Sequence, residues 1–152
     1  MKTIAIANQK RKVMGKRYGV ILAVFTLTLF SYAEGWGADW KVYSSTDYGI
    51  RSYDAESMIR PSKGVVRVWT KLLYNEKAIT DTVKEKGDMY KTLSYTMVFD
   101  EFICAEKEKR LLALIDYSTD GKILFSANYK ESKWSFIVPE SVGESLYNAV
   151  CK

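Results

Sequence analysis

Few side chains in this 152-residue sequence have the types and spacing that chemistry needs. Two cysteines, Cys104 and Cys151, suit one disulfide in an oxidising compartment; the alternative is a pair of buried thiols. As zinc ligands, two sulfurs alone would leave the shell two donors short unless carboxylates filled in. Closing the loop between them would stabilise the fold by about 4 kcal/mol by restricting the unfolded chain. The carboxylates worth considering as acid and base are Asp54 with Glu56, Asp100 with Glu101, and Asp116. Adjacent strand residues point to opposite faces, so Asp100 and Glu101 converge only if a bulge intervenes. The chain has no histidine at all. That removes Ser-His-Asp and Cys-His catalysis, histidine-ligated zinc or haem, and histidine-based pH sensing. The expectation is a non-enzymatic protein with no metal and no cofactor.

A different constellation suits recognition. Arg67, Trp69 and Lys71 alternate along one segment, which on a strand places two cations beside an indole on one face. Such a face is a candidate protein-binding surface; the alternative is an ordinary outer strand surface, or one half-buried under a helix. Lys84 and Lys86 lie in the polar stretch 75–87, which reads as a mobile recognition loop, a solvated connector or a short surface helix.

The charge distribution decides against nucleic acid. The net charge is +5, but Lys2, Lys10, Arg11, Lys12, Lys16 and Arg17 all precede the apolar run 20–30, and no acidic residue occurs before Glu34. Residues 34–152 carry 17 basic and 18 acidic side chains, so no basic field remains there for a phosphate backbone. The basic segment, the apolar run and the small residues Ser31 and Ala33 instead spell an export signal over residues 1–33, cleaved after Ala33. Eleven apolar residues are too few for a permanent transmembrane anchor, which needs about 20. Met14 would open a signal peptide of ordinary proportions and is the expected start. No cysteine follows the apolar run to accept a lipid.

The elements that must hold these residues are mostly strands. Residues 65–74 alternate, with Val66, Val68, Thr70, Leu72 and Tyr74 on the face expected to be core. Strands are expected from Trp40, at 50–54 and 57–60, and at 90–99 and 102–105 around Asp100-Glu101. Turns are expected at 61–64 and in the charged cluster 106–110. A hairpin joins 111–117 to 122–129 through Ser118-Thr119-Asp120-Gly121, where Gly121 supplies the positive φ. In the second arm Ile123, Phe125, Ala127 and Tyr129 alternate with Lys122, Leu124, Ser126, Asn128 and Lys130. After a short strand at 134–138, Pro139 and Ser141 start a helix that carries Val142, Leu146, Ala149 and Val150 on one side and ends at Cys151.

Several of these residues together carry a resemblance. Trp40, Tyr53-Asp54, Val66-Arg67-Val68-Trp69, Cys104, Tyr117, Gly121, Trp134 and Ile137-Val138-Pro139-Glu140-Ser141, continuing through Leu146 to Val150-Cys151, occur in an order similar to the surface-adhesin protein E family of exported bacterial proteins. The likeness covers nearly all of residues 38–152. It implies an α+β fold, an antiparallel sheet of about six strands with a C-terminal helix packed on one face and tied by the disulfide. It also implies a Gram-negative envelope location, periplasmic or on the outer-membrane surface. The best-known member binds host matrix and plasma proteins, including laminin, vitronectin and plasminogen. The expected function is therefore an exported binding or adhesion module, with an exposed sheet edge or face offering a route to a homodimer. The alternative is an envelope domain that binds a small ligand between helix and sheet.

Overall fold

The computed structural model describes residues 37–152, so the export signal expected over residues 1–33, with its start at Met14, lies outside the described residues. The chain forms β1 (Trp40–Thr46), β2 (Gly49–Asp54), β3 (Ile59–Ser62) and β4 (Val65–Tyr74), then α1 (Glu76–Lys86) and a 3-10 helix (Asp88–Thr92). It continues with β5 (Leu93–Ile103), β6 (Glu108–Ser118), β7 (Ile123–Asn128), β8 (Ser135–Phe136) and α2 (Val142–Val150). All pairings are antiparallel in the order β1-β2-β4-β5-β6-β7. The long strands β4, β5 and β6 form the centre. Short β3 continues the β4 edge beyond β2, and β8 continues the β6 edge beyond β7.

Alternation in β4 sends Val66 and Val68 inward, fully buried, with Thr70 and Leu72 nearly so. Phe102 pairs with Val66 across the ladder, and the apolar side of α2 adds Leu146 and Val150. These five residues form the core, so among the described residues a helix roofs one face of the sheet.

Turn expectations gave way, wholly or in part, in three places. The expected break around Asp100-Glu101 is absent; β5 runs unbroken from Leu93 to Ile103 because both carboxylates find cations on neighbouring strands. Of the cluster 106–110, only its start belongs to the reversal, and β6 begins at Glu108. Pro61 and Ser62 complete β3 rather than a turn, which a proline tolerates on an edge strand. The stretch 75–87 resolves into α1, capped by Asn75, whose side chain accepts from the Ala78 amide at 2.9 Å.

The hairpin between β6 and β7 forms as expected, with Gly121 at φ 79°. The alternation of β7 does not bury its apolar side: Ile123, Phe125 and Tyr129 stay exposed at the sheet edge, because α2 sits over the other end. A second glycine is dictated by space. Gly49 opens β2 at φ +145°, and a Cβ there would lie 2.0 Å from the carbonyl oxygen of Leu73.

Candidate functional site

Helix α2 is capped at its start and fixed to the sheet at its end. Ser141 caps it by accepting from the Glu144 amide at 3.2 Å, while the Glu144 carboxylate accepts from the Glu140 amide at 2.8 Å. At the other end Cys151 forms the disulfide with Cys104, with Cα atoms 5.5 Å apart. The Tyr147 hydroxyl donates to the Cys104 carbonyl at 2.8 Å, and Arg60 of β3 donates to the Val150 carbonyl at 3.1 Å. That guanidinium places positive charge where unpaired helix carbonyls accumulate negative charge. The sequence reading identified the cysteines and the cap; it missed Arg60, because nothing local marks a residue 90 positions away as a helix partner.

Beside α2, on the same sheet face, lies a groove of about 500 Å³. Its walls are apolar, with Val98, Leu111 and Leu114 from the sheet facing Val142 and Leu146 from α2. Its floor is polar: Tyr43, Arg51, Thr70, Asp100 and Lys109 converge there. Burial pushes the Asp100 carboxyl above its usual range, opposed by the Lys109 ammonium at 3.4 Å and the Arg51 charge. Burial likewise raises the Tyr43 hydroxyl, although Arg51 and Thr70 contact it. Arg51 Nε is buried with no hydrogen-bond partner among the described residues. Farther along this face Thr96 donates to Asp116 at 2.5 Å, and burial together with the Asp116 charge raises the Tyr90 hydroxyl.

The opposite face is different in kind. Among the described residues neither helix roofs it: α2 packs on the groove side, and α1 packs against the 3-10 helix. Trp69 of β4 stacks on Phe99 of β5, centroids 4.7 Å apart, and Tyr95 stacks on Tyr117 at 4.8 Å. Lys71 lies 4.1 Å from the Trp40 ring and 5.4 Å from Tyr95. Arg110 lies 4.5 Å from the Trp134 ring. Beneath them Glu101 is buried between Arg67 Nε at 2.6 Å and Arg110 Nη2 at 2.5 Å. Burial alone would raise the Glu101 carboxyl, but the hydrogen bonds and charges of Arg67 and Arg110 hold it below the usual carboxylate range.

Arg67, Trp69 and Lys71 therefore do share one half-buried face, joined by Trp40, Tyr95, Phe99, Arg110, Tyr117 and Trp134. Lys84 and Lys86 do not join it. They project from the last turn of α1, Lys84 paired with Asp81 at 3.6 Å and Lys86 over the Tyr90 ring at 5.4 Å. The missed aromatics follow from register: Phe99 sits opposite Trp69, and Tyr95 is level with Tyr117. Strand pairing is not written in any one segment.

The carboxylate groupings do not assemble an acid and base. The register does shift beside Asp100, but the extra residue is Leu112 of β6, so β5 keeps its alternation: Asp100 faces the groove and Glu101 the opposite side. Asp54 is turned to the backbone, accepting from the Asp39 and Glu56 amides at 3.1 Å each. Among the described residues no group of three or more acidic or cysteine side chains could hold a metal ion, and no helix is long and apolar enough to cross a membrane.

The helix-roofed antiparallel sheet with its Cys104–Cys151 bridge is matched over residues 40–152 by the family model for surface-adhesin protein E. The chain belongs to the surface-adhesin protein E family. Neither a curated protein nor a solved structure matches it. Membership points to a surface adhesin role rather than to catalysis, and it places the uncovered face and the groove in a fold whose family is named for adhesion.

Proposed function

We propose that this protein is an exported, non-enzymatic adhesion module that holds a protein partner against the uncovered sheet face. One observation carries the reading: the face bears stacked aromatics with Lys71 and Arg110 lying over indole rings, and no helix among the described residues covers it. Aromatic side chains and arginine are enriched among the residues that dominate binding at protein interfaces, the aromatics because they bury large area with little loss of rotamer freedom, arginine because its planar guanidinium stacks and donates several hydrogen bonds. The strand ladder under them supplies a rigid platform. Glu101 supports this role from below, since it holds Arg67 and Arg110 in place while the face stays net positive with Lys71. Partners of the matrix and plasma class, laminin, vitronectin or plasminogen, follow from the family likeness. Self-association through the same face, or through the exposed edge at β7, is the homodimer route consistent with this reading.

Surface binding of the full chain to each of those proteins tests it. Lys71→Glu alters a half-buried rim cation without opening the core and is expected to weaken capture about tenfold, while Trp69→Thr removes a central anchor worth about 2 kcal/mol, roughly thirtyfold. Lys84→Glu with Lys86→Glu should leave capture unchanged. Equal binding by wild type and the folded Lys71 and Trp69 variants would overturn the proposal. Protease treatment of intact cells distinguishes the two envelope locations, since protection would exclude direct contact with external partners.

A further inference from the structure

The groove beside α2 raises a separate question, because its floor carries buried polar groups that the fold leaves incompletely paired. Two cations, Arg51 and Lys109, face it against one carboxylate, Asp100. The Asp100–Lys109 contacts are long, 3.4 and 3.5 Å, and leave the floor with a net single positive charge. Arg51 Nε donates to nothing among the described residues, although it is buried. A buried N–H without an acceptor costs about 1–3 kcal/mol, a cost that a ligand oxygen would relieve. Above this floor the walls are apolar, and at the rim Phe136 and Val138 are 78% and 65% exposed, adding apolar surface at its mouth. A volume of about 500 Å³ lies within the range that small organic ligands occupy.

We infer that the groove between α2 and the sheet binds an amphipathic monocarboxylate, its carboxylate taken by Arg51 and Lys109 and its apolar body laid between Leu114 and Leu146 beneath the Phe136 rim. Charge complementarity selects the occupant: a neutral analogue brings no negative charge to Arg51 and Lys109, and a cationic one repels the floor. A fatty acid and an aryl carboxylic acid share this chemistry, and the groove is independent of the uncovered face. Ligand occupancy and protein adhesion therefore fail or succeed separately.

Calorimetric titration of the full chain with decanoate, 3-phenylpropanoate, decan-1-ol and decyltrimethylammonium tests the inference without any substitution. Either carboxylate is expected to bind at least tenfold more tightly than decan-1-ol, and decyltrimethylammonium not to bind; which acid binds tighter identifies the source as acyl or aryl. Arg51→Met should lower carboxylate affinity at least tenfold with little effect on the alcohol, and Asp100→Asn should raise it. Filling the groove with Leu114→Trp should abolish binding. Decan-1-ol or the ammonium binding as tightly as both acids, or no binding by either acid at millimolar concentration, would overturn the inference. So would unchanged acid binding in folded Arg51→Met.

Discussion

Removing the disulfide with the double substitution Cys104→Ala and Cys151→Ala separates two ways in which it can act. The bridge joins residues 47 apart in sequence. In the chain-entropy description, opening a loop of that size returns about 4 kcal/mol of conformational freedom to the unfolded state. For a domain of this size that corresponds to a fall of about 15 °C in Tm. The native state, by contrast, should change little locally. Helix α2 keeps Leu146 and Val150 in the core, each contributing about 1.5–3 kcal/mol by burial, and keeps the Tyr147 and Arg60 hydrogen bonds. The expected result is a lower urea midpoint with an unchanged slope and with the helical circular dichroism signal intact in buffer. Amide exchange should accelerate in the slowest positions of β4 and β5 as much as in α2, since the whole unfolding equilibrium shifts. If instead α2 alone loses protection while the β4 amides keep theirs, the bridge is a local clamp and the entropic reasoning is refuted. Loss of less than about 1 kcal/mol would refute it equally.

The two adjacent carboxylates should respond in opposite ways to acid and to amidation. Glu101 is held below its ordinary pKa in the folded state, so its contribution is present above the unfolded value and lost as pH falls through the folded one. Glu101→Gln should cost about 2–3 kcal/mol, the low end for a broken buried pair because Arg67 and Arg110 keep some contact with water, and should flatten the acid limb of stability against pH. Asp100 is raised by burial, so its native form holds a proton more readily than the unfolded chain, and stability declines as pH rises between its unfolded and folded pKa values. Asp100→Asn should therefore be neutral or stabilising at pH 7 in chemical denaturation, and a loss as large as that of Glu101→Gln would contradict this assignment. Gly49→Ala places a Cβ 2.0 Å from the Leu73 carbonyl oxygen at φ +145°, and should lower stability by about 3 kcal/mol or more in thermal melts. A wild-type Tm would show that the β2–β4 approach is looser than drawn.

Much of the scaffold is legible because it depends on local periodicity. The inward set of β4, the Gly121 hairpin and the Ser141-capped helix each follow from spacing within about ten residues, and each is present. Charge proved a poor guide where partners came from elsewhere. Asp100-Glu101 reads as a break in isolation, yet it lies mid-strand because Lys109 approaches from one face and Arg67 and Arg110 from the other. The exposed alternation of β7 shows the converse: an apolar period marks a strand face, but whether that face is buried depends on how far α2 reaches.

From sequence alone came the strand periods, the helix start, the cysteine pair and the shared direction of Arg67, Trp69 and Lys71, because each depends on neighbours a few bonds away. Tertiary structure decided that Lys84 and Lys86 stand apart from those three, that Phe99 and Tyr95 join them, and that Arg51, Asp100 and Lys109 meet in a groove. Those outcomes depend on cross-strand register and on where a nine-residue helix comes to rest, and both are set by packing between segments far apart in the chain.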